Sequence, residues 1–170
     1  MKIEGDRMKE IFHRASIRKF LEQEVEEEKV TQILKAAMSA PSAINGRPWE
    51  FYVVTDKDKL KQLSKATPYS MCVKNAPIAI VVCYHKKGLA KEFHDIDCAI
   101  ATENILLEID YLGLGGVMIG IAPNENRMKK VEEILDMPED LFAFTIIPFG
   151  YPEKEKMQKD RYEEKKVHRI

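Results

Sequence analysis

KEFHDIDCAIATENILLEIDYLG, residues 91–113, is the longest helical window in the chain. Cys98, Ala99, Ala101, Ile105, Leu106, Ile109 and Leu112 spread widely around its wheel. A helix apolar over much of its circumference lies in an interior or at a subunit interface. Gly113 supplies its C-terminal stop. Just upstream, PIAIVVCYH (77–85) is a nearly unbroken apolar run of β type, which suits a central strand covered on both faces. Downstream, GGVMIGIA (115–122) reads as a short glycine-rich strand or loop. PNENRMKKVEEILDM (123–137) reads as a helix capped by Asn124 with Glu125 in its first turn. LFAFTIIPFGYP (141–152) is a final strand.

The N-terminal half completes the pattern. Residues 6–14 suit a short helix with Met8, Ile11 and Phe12 on one face. EVEEEKVTQILKAAMSA (24–40) places Val30, Ile33, Leu34 and Ala37 at helical spacing, with Glu26, Glu27 and Glu28 at its start. Pro41 forbids its continuation. PWEFYVVTD (48–56) predicts a strand, KDKLKQLSKA (57–66) a surface helix, and YSMCVKNA (69–76) a further helical turn. Three or four strands interleaved with five or more helices make an α+β or α/β protein, one sheet with helices around it. The tail 153–170, EKEKMQKDRYEEKKVHRI, is too polar for a core of its own. It is either disordered or laid across a partner.

The chain has 170 residues, which makes one domain, 1–170, the default expectation. A formal net charge of −1 provides no field to gather nucleic acid or acidic lipid. No apolar run approaches the ~20 residues of a membrane span. The charged N-terminus lacks the apolar core of a secretory signal. The three cysteines, Cys72, Cys83 and Cys98, read as buried thiols of a reducing compartment. These features predict a cytoplasmic protein that binds neither nucleic acid nor membrane.

RASIRKF (14–20) sets Arg14, Ser16 and Arg18 at every second position. In an extended segment they share one side, spaced ~6.5 Å apart, as a donor row about 13 Å long. Such a row is either a site for a long anionic ligand or a solvated basic edge, and the segment by itself favours the edge. In GLGGVMIG (113–120), Gly115, Gly116 and Gly120 permit a tight turn or a backbone amide set against a flat ligand. APSAINGRPWEF (40–51) stiffens a loop between Pro41 and Pro48, with Ser42 and Asn45 as compact hydrogen-bonding groups. Lys159 and Arg161 alternate in the tail. The four histidines are dispersed, and His94 and Asp97 of HDID do not make a ligand set, so no metal is expected. There is no phosphate loop, no dinucleotide fingerprint and no nucleophile elbow.

Together these segments resemble the FMN-dependent nitroreductase family in its compact form. RASIRKF is similar to the family's R-x-S-x-R-x-F signature and APSAINGRPWEF to its P-S-x-x-N-x-Q/R-P-W segment. Residues 95–120 resemble its long central helix and glycine loop, and FGYP with the tail ending in KKVH resembles its C-terminal pattern. The resemblance implies a central, mostly antiparallel sheet flanked by helices, in an intertwined homodimer with two FMN molecules at the interface. Helix 91–113 becomes an interface helix and the tail, about 153–170, packs on the partner. By the same resemblance, Arg14 and Ser16 bind the FMN phosphate and ribityl end, and Arg18 reaches the pyrimidine edge. Pro41, Ser42 and Ala43 come from the other subunit, and Asn45 matches the motif. Ile119 and Gly120 present backbone to flavin N5 and O4, and Lys159 and Arg161 complete the phosphate site. The implied activity is reduction of a small electrophilic acceptor, such as a nitroaromatic or quinone, with NADH or NADPH as donor. Hydride would pass through flavin N5 in a ping-pong cycle. A specialised flavin enzyme of the same fold, or a non-catalytic FMN-binding regulatory dimer, are the alternatives.

Overall fold

A computed structural model describes residues 9–154 and 160–170. Its helices are α1 (Lys9–His13), α2 (Glu27–Met38), α3 (Lys57–Leu63), α4 (His94–Tyr111) and α5 (Glu125–Ile134). Its strands are β1 (Trp49–Val54), β2 (Ile78–His85), β3 (Gly115–Gly116), β4 (Ile119–Gly120) and β5 (Leu141–Gly150). They form one sheet in the order β1-β2-β5-β3, with β4 also paired to β5, and every paired strand is antiparallel. Among the described residues no helix is long and apolar enough to cross a membrane.

The apolar runs become the central strands because both faces are covered. Ile78, Ile80 and Val82 of β2 face a cluster with Val30, Ile33 and Ala37 of α2 and Cys98, Ala101, Ile105 and Ile109 of α4. Ala79 and Val81 face the opposite cluster, with Leu60 and Leu63 of α3 and Met128 and Val131 of α5. The period-two alternation of a strand sorts neighbouring residues into these two layers.

The long helix ends as its glycine predicts. Gly113 has φ +73°, its N–H donates to the Asp110 carbonyl (3.0 Å), and the Leu114 N–H donates to Ile109 (2.9 Å). That pair of bonds is a Schellman stop. At the other helix, the Asn124 side chain accepts from the Arg127 N–H (3.1 Å), the N-cap expected. α4 buries eight residues, yet Ile96 and Tyr111 on it and Phe93 beside it stay exposed.

The glycine segment, read as a short strand or loop, is two short strand pieces. β3 and β4 share one register on β5, Gly115 opposite Gly150 and Gly120 opposite Thr145, but are separate two-residue pieces. Between them the Val117 N–H donates to the Pro148 carbonyl (3.3 Å). Proline has no N–H to return the bond, so the ladder lapses there.

Candidate functional site

The donor row begins where α1 ends, with the Arg14 N–H still bonded to Glu10 (2.9 Å). The chain then lies along β3. Ser16 bridges Gly116, and the Ile17 N–H donates to the Gly116 carbonyl (2.9 Å). Further on, Leu21 N–H bonds to Tyr151 (2.9 Å), and Glu153 N–H to Lys19 (3.2 Å). The extended reading of RASIRKF therefore holds, and the segment is fastened at both ends. Arg14 Nε meets Glu103 of α4 at 3.4 Å, which engages one of the five guanidinium N–H groups. Arg18 is exposed. Burial raises the Cys72 thiol above its ordinary value, and the Arg18 charge nearby works against that rise.

The three glycines have different causes. A Cβ on Gly115 would stand 2.6 Å from Ile17 Cγ1 and 2.8 Å from Ile17 Cβ, so glycine is what lets the donor segment lie against the strand. A Cβ on Gly116 would press Phe149 and Ile109 at 3.2–3.3 Å. Both are packing glycines. A Cβ on Gly120 would meet nothing within 4 Å, and this residue is exposed. Its neighbour Ile119 is buried, with its carbonyl accepting from Thr145 Oγ1 at 2.8 Å. The Gly120 carbonyl accepts from Arg127 Nη1 at 3.5 Å, and the Arg127 guanidinium lies 6.0 Å from the Tyr69 ring centroid.

The loop after α2 holds unusual backbone. Ile44, Asn45 and Arg47 have φ of +49°, +57° and +46°. Asparagine tolerates that region, whereas a β-branched isoleucine there is strained. The loop is tied down by Asp97 of α4, only 3% exposed, whose Oδ1 accepts from the Ala43 N–H at 2.9 Å. Ser42 Oγ accepts from the Arg47 N–H (3.0 Å), and the Asn45 N–H donates to the Ser42 carbonyl (3.0 Å). Pro41, Ser42, Ala43 and Asn45 thus form one unit with α4, Ser16 lies against β3, Arg14 meets Glu103 of α4, and Ile119 and Gly120 make β4. Lys159 lies outside the described residues. Arg161 is exposed in the tail, where the Tyr162 N–H bonds locally to Asp160 (3.0 Å).

HDID has a structural use. His94 is buried and its Nδ1 bonds the His85 carbonyl (3.0 Å), while Asp97 serves the loop. Among the described residues no three His, Cys, Asp or Glu side chains group to hold a metal. The thiols are poor nucleophiles. Burial pushes Cys83 up to about 12 and raises Cys98 well above its ordinary value. An open groove of about 990 Å³ runs between residues 19–25 and 74–78, and none of the candidate site residues lines it. Asp97, Thr145 and Arg127 are the site's neighbours that motif reading passes over. Thr145 carried a signal, as a polar residue inside the apolar run of β5, whereas Asp97 sits among the polar residues of HDID.

The nitroreductase family model matches residues 11–71 and 67–151. A protein of Archaeoglobus fulgidus described as a candidate NADH dehydrogenase/NAD(P)H nitroreductase is 43% identical over 168 residues, covering 95% of this chain and 96% of its own. A crystal structure bearing the same description, from Bacteroides thetaiotaomicron, superposes with a TM-score of 0.91 at 40% identity, covering 95% of each chain. An FMN-dependent nitroreductase from Clostridium difficile R20291 superposes at 0.85 with 38% identity, covering 91% of this chain and 94% of its own.

Proposed function

This chain belongs to the nitroreductase family, and from that premise we propose that it is an FMN-dependent NAD(P)H oxidoreductase, working as a homodimer on a small electrophilic acceptor. The observation that carries the reading is the fastening of the Arg14–Ser16–Arg18 row to the glycine segment that ends in open-faced Gly120. Cationic and hydroxyl donors suit a phosphate and a ribityl chain, and a glycine with nothing over its Cβ position suits a flat ring. The residues fit FMN on those grounds.

FMN, when bound, supplies a ring that accepts a hydride at N5 and passes it on. Arg14 and Ser16 hold its phosphate and ribityl end, where each charge-assisted hydrogen bond contributes ~1.5–3 kcal/mol. Arg18 sets a fixed positive charge at the pyrimidine edge, where negative charge builds on reduction, and so raises the reduction potential. Ile119 and Gly120 offer backbone to the N5 and O4 edge. The loop of Pro41, Ser42, Ala43 and Asn45 lines the site of the other subunit, and Lys159 and Arg161 complete the phosphate contacts. Donor and acceptor take turns on one face, which makes the kinetics ping-pong. The three buried free cysteines suit a cytoplasmic setting.

The test is the absorption spectrum of the purified protein, followed by anaerobic mixing with NADH and with NADPH. A flavin band that bleaches on the turnover timescale is expected. A band that stays oxidised with both donors favours a binding module, and a colourless protein that takes up no FMN removes the flavin reading altogether. Initial-rate lines at several donor concentrations should run parallel, and intersecting lines would overturn the ping-pong order.

A further inference from the structure

We propose that Thr145 is a positioning residue that aims the Gly120 amide at the redox edge of the flavin; the proposal rests on the FMN reading above. Thr145 interrupts the otherwise apolar strand LFAFTIIPFG and is 0% exposed. A buried hydroxyl left without a partner is destabilising, so its bond matters. That bond goes to the Ile119 carbonyl, at 2.8 Å.

The consequence follows from peptide geometry. A planar trans peptide points its N–H opposite to its C=O. Clamping the Ile119 carbonyl toward β5 therefore turns the Gly120 N–H away from β5, to the edge that β5 does not cover. Gly120 is exposed there, with no atom within 4 Å of its Cβ position.

Backbone pairing of β4 with β5, Ile119 with Ile146 and Gly120 with Thr145, turns the same carbonyl toward β5, and the Thr145 hydroxyl adds a second bond to it on a short ladder. β4 has two residues, and the ladder on its N-terminal side lapses opposite Pro148. On its C-terminal side the Phe144 carbonyl accepts from both Ile121 (3.2 Å) and Ala122 (2.9 Å). β5 is itself bulged at this point. Val82 faces Thr145 and Cys83 faces Ala143, which leaves Phe144 as the extra residue. Bulges re-aim side chains beside functional sites. Thr145, which follows the extra residue, is the one that grips β4.

The experiment compares Thr145→Val, which keeps the shape and removes the hydroxyl, with Thr145→Ser, which keeps the hydroxyl. Thr145→Ala removes the hydroxyl without the bulk of valine and serves if the valine variant does not fold. Ile80→Val on β2 is the control for a general loss of core packing. Each dimer is stripped of flavin, titrated with FMN by fluorescence, and its bound-flavin spectrum and thermal midpoint are recorded. Both hydroxyl-free variants should weaken FMN binding roughly tenfold and alter the visible band. Thr145→Ser should stay within about twofold of wild type, and Ile80→Val should change only the melting temperature. Hydroxyl-free variants with wild-type FMN affinity and spectrum overturn the proposal and leave Thr145 a core hydrogen bond. Equal weakening by Ile80→Val overturns it as well. A wild-type protein that takes up no FMN removes the functional reading and this inference together, whereas a flavin-loaded wild type with an unaffected Thr145→Val removes only the inference.

Discussion

Arg14 and Arg18 sit four positions apart in one segment, and their surroundings separate their tasks. Arg14 is half-buried and paired with Glu103, so its guanidinium is already oriented. On the proposed reading, removing it would take away a phosphate contact and leave the Glu103 carboxylate to repel the phosphate. Arg14→Ala should lower FMN affinity roughly 10- to 100-fold and purify largely colourless. Adding Glu103→Gln should restore part of the loss, measured by FMN titration; no recovery in the double variant would show that Glu103 does not act on the bound phosphate. Arg18→Ala should instead retain most of the flavin while lowering its potential and turnover, and equal effects of the two substitutions on both properties would end that division. The thiols give a pH prediction. Cys83, its Sγ bonded to the Glu50 carbonyl (3.3 Å), keeps its proton to about 12 because burial disfavours the thiolate, while the unfolded thiol ionises near 9. Its contribution to stability is fully present below pH 9 and is lost as pH rises from there toward 12, at ~1.4 kcal/mol per unit. Urea midpoints from pH 8 to 10.5 should fall less steeply for Cys83→Ala than for wild type, and coincident slopes would show that burial does not hold the proton.

Among the elements, the two ends of the glycine segment should fail in opposite ways. A methyl at Gly115 meets the stem of Ile17, and relief requires the donor segment to move. Overpacking of this kind costs ~1–3 kcal/mol. Gly115→Ala should therefore melt earlier and bind FMN less well, with Ile17→Ala restoring only part, because the Ile17 Cβ contact at 2.8 Å remains. A methyl at Gly120 meets nothing of the chain, so Gly120→Ala should melt like wild type and still lose flavin affinity. If both variants keep wild-type melting and affinity, the segment has neither role. These glycines also mark how far the sequence could be read. α2, α4, α5 and the central strands were legible because long apolar periodicities have one buried solution. The division into β3 and β4 was not, because it depends on Pro148 reaching the same register from a distant strand. The left-handed loop 44–47 was hidden too. Nothing in Ile44 or Arg47 favours positive φ, and the conformation is held in part by Asp97, 54 residues on from Ala43. At the candidate site, the donor row and Gly120 were visible as motifs and Thr145 as a polar interruption, whereas the partners of Thr145 and of Asp97 in HDID had to be seen.

At the scale of the whole molecule, a single subunit leaves its resources unevenly used. Residues 160–170 are exposed throughout, and Lys165 pairs locally with Glu163 (3.3 Å). Ile11, Phe12, Phe93, Ile96 and Tyr111 are also exposed, on and beside α1 and α4. The loop unit is anchored by Asp97 of α4, and the donor row is fastened to β3 with Arg14 also paired to Glu103 of α4. The proposed dimer would bury more than ~2,000 Å² and resemble a core cut in two. Its stability and its cofactor would then depend on the same contacts. Deleting residues 154–170 should consequently shift the protein toward monomer on dilution and release FMN in step with dissociation. Light scattering after size exclusion, with the flavin absorbance followed across the same dilution series, reads both quantities. A truncated protein that stays dimeric and keeps its flavin at nanomolar concentration would show that the tail holds neither the partner nor the phosphate.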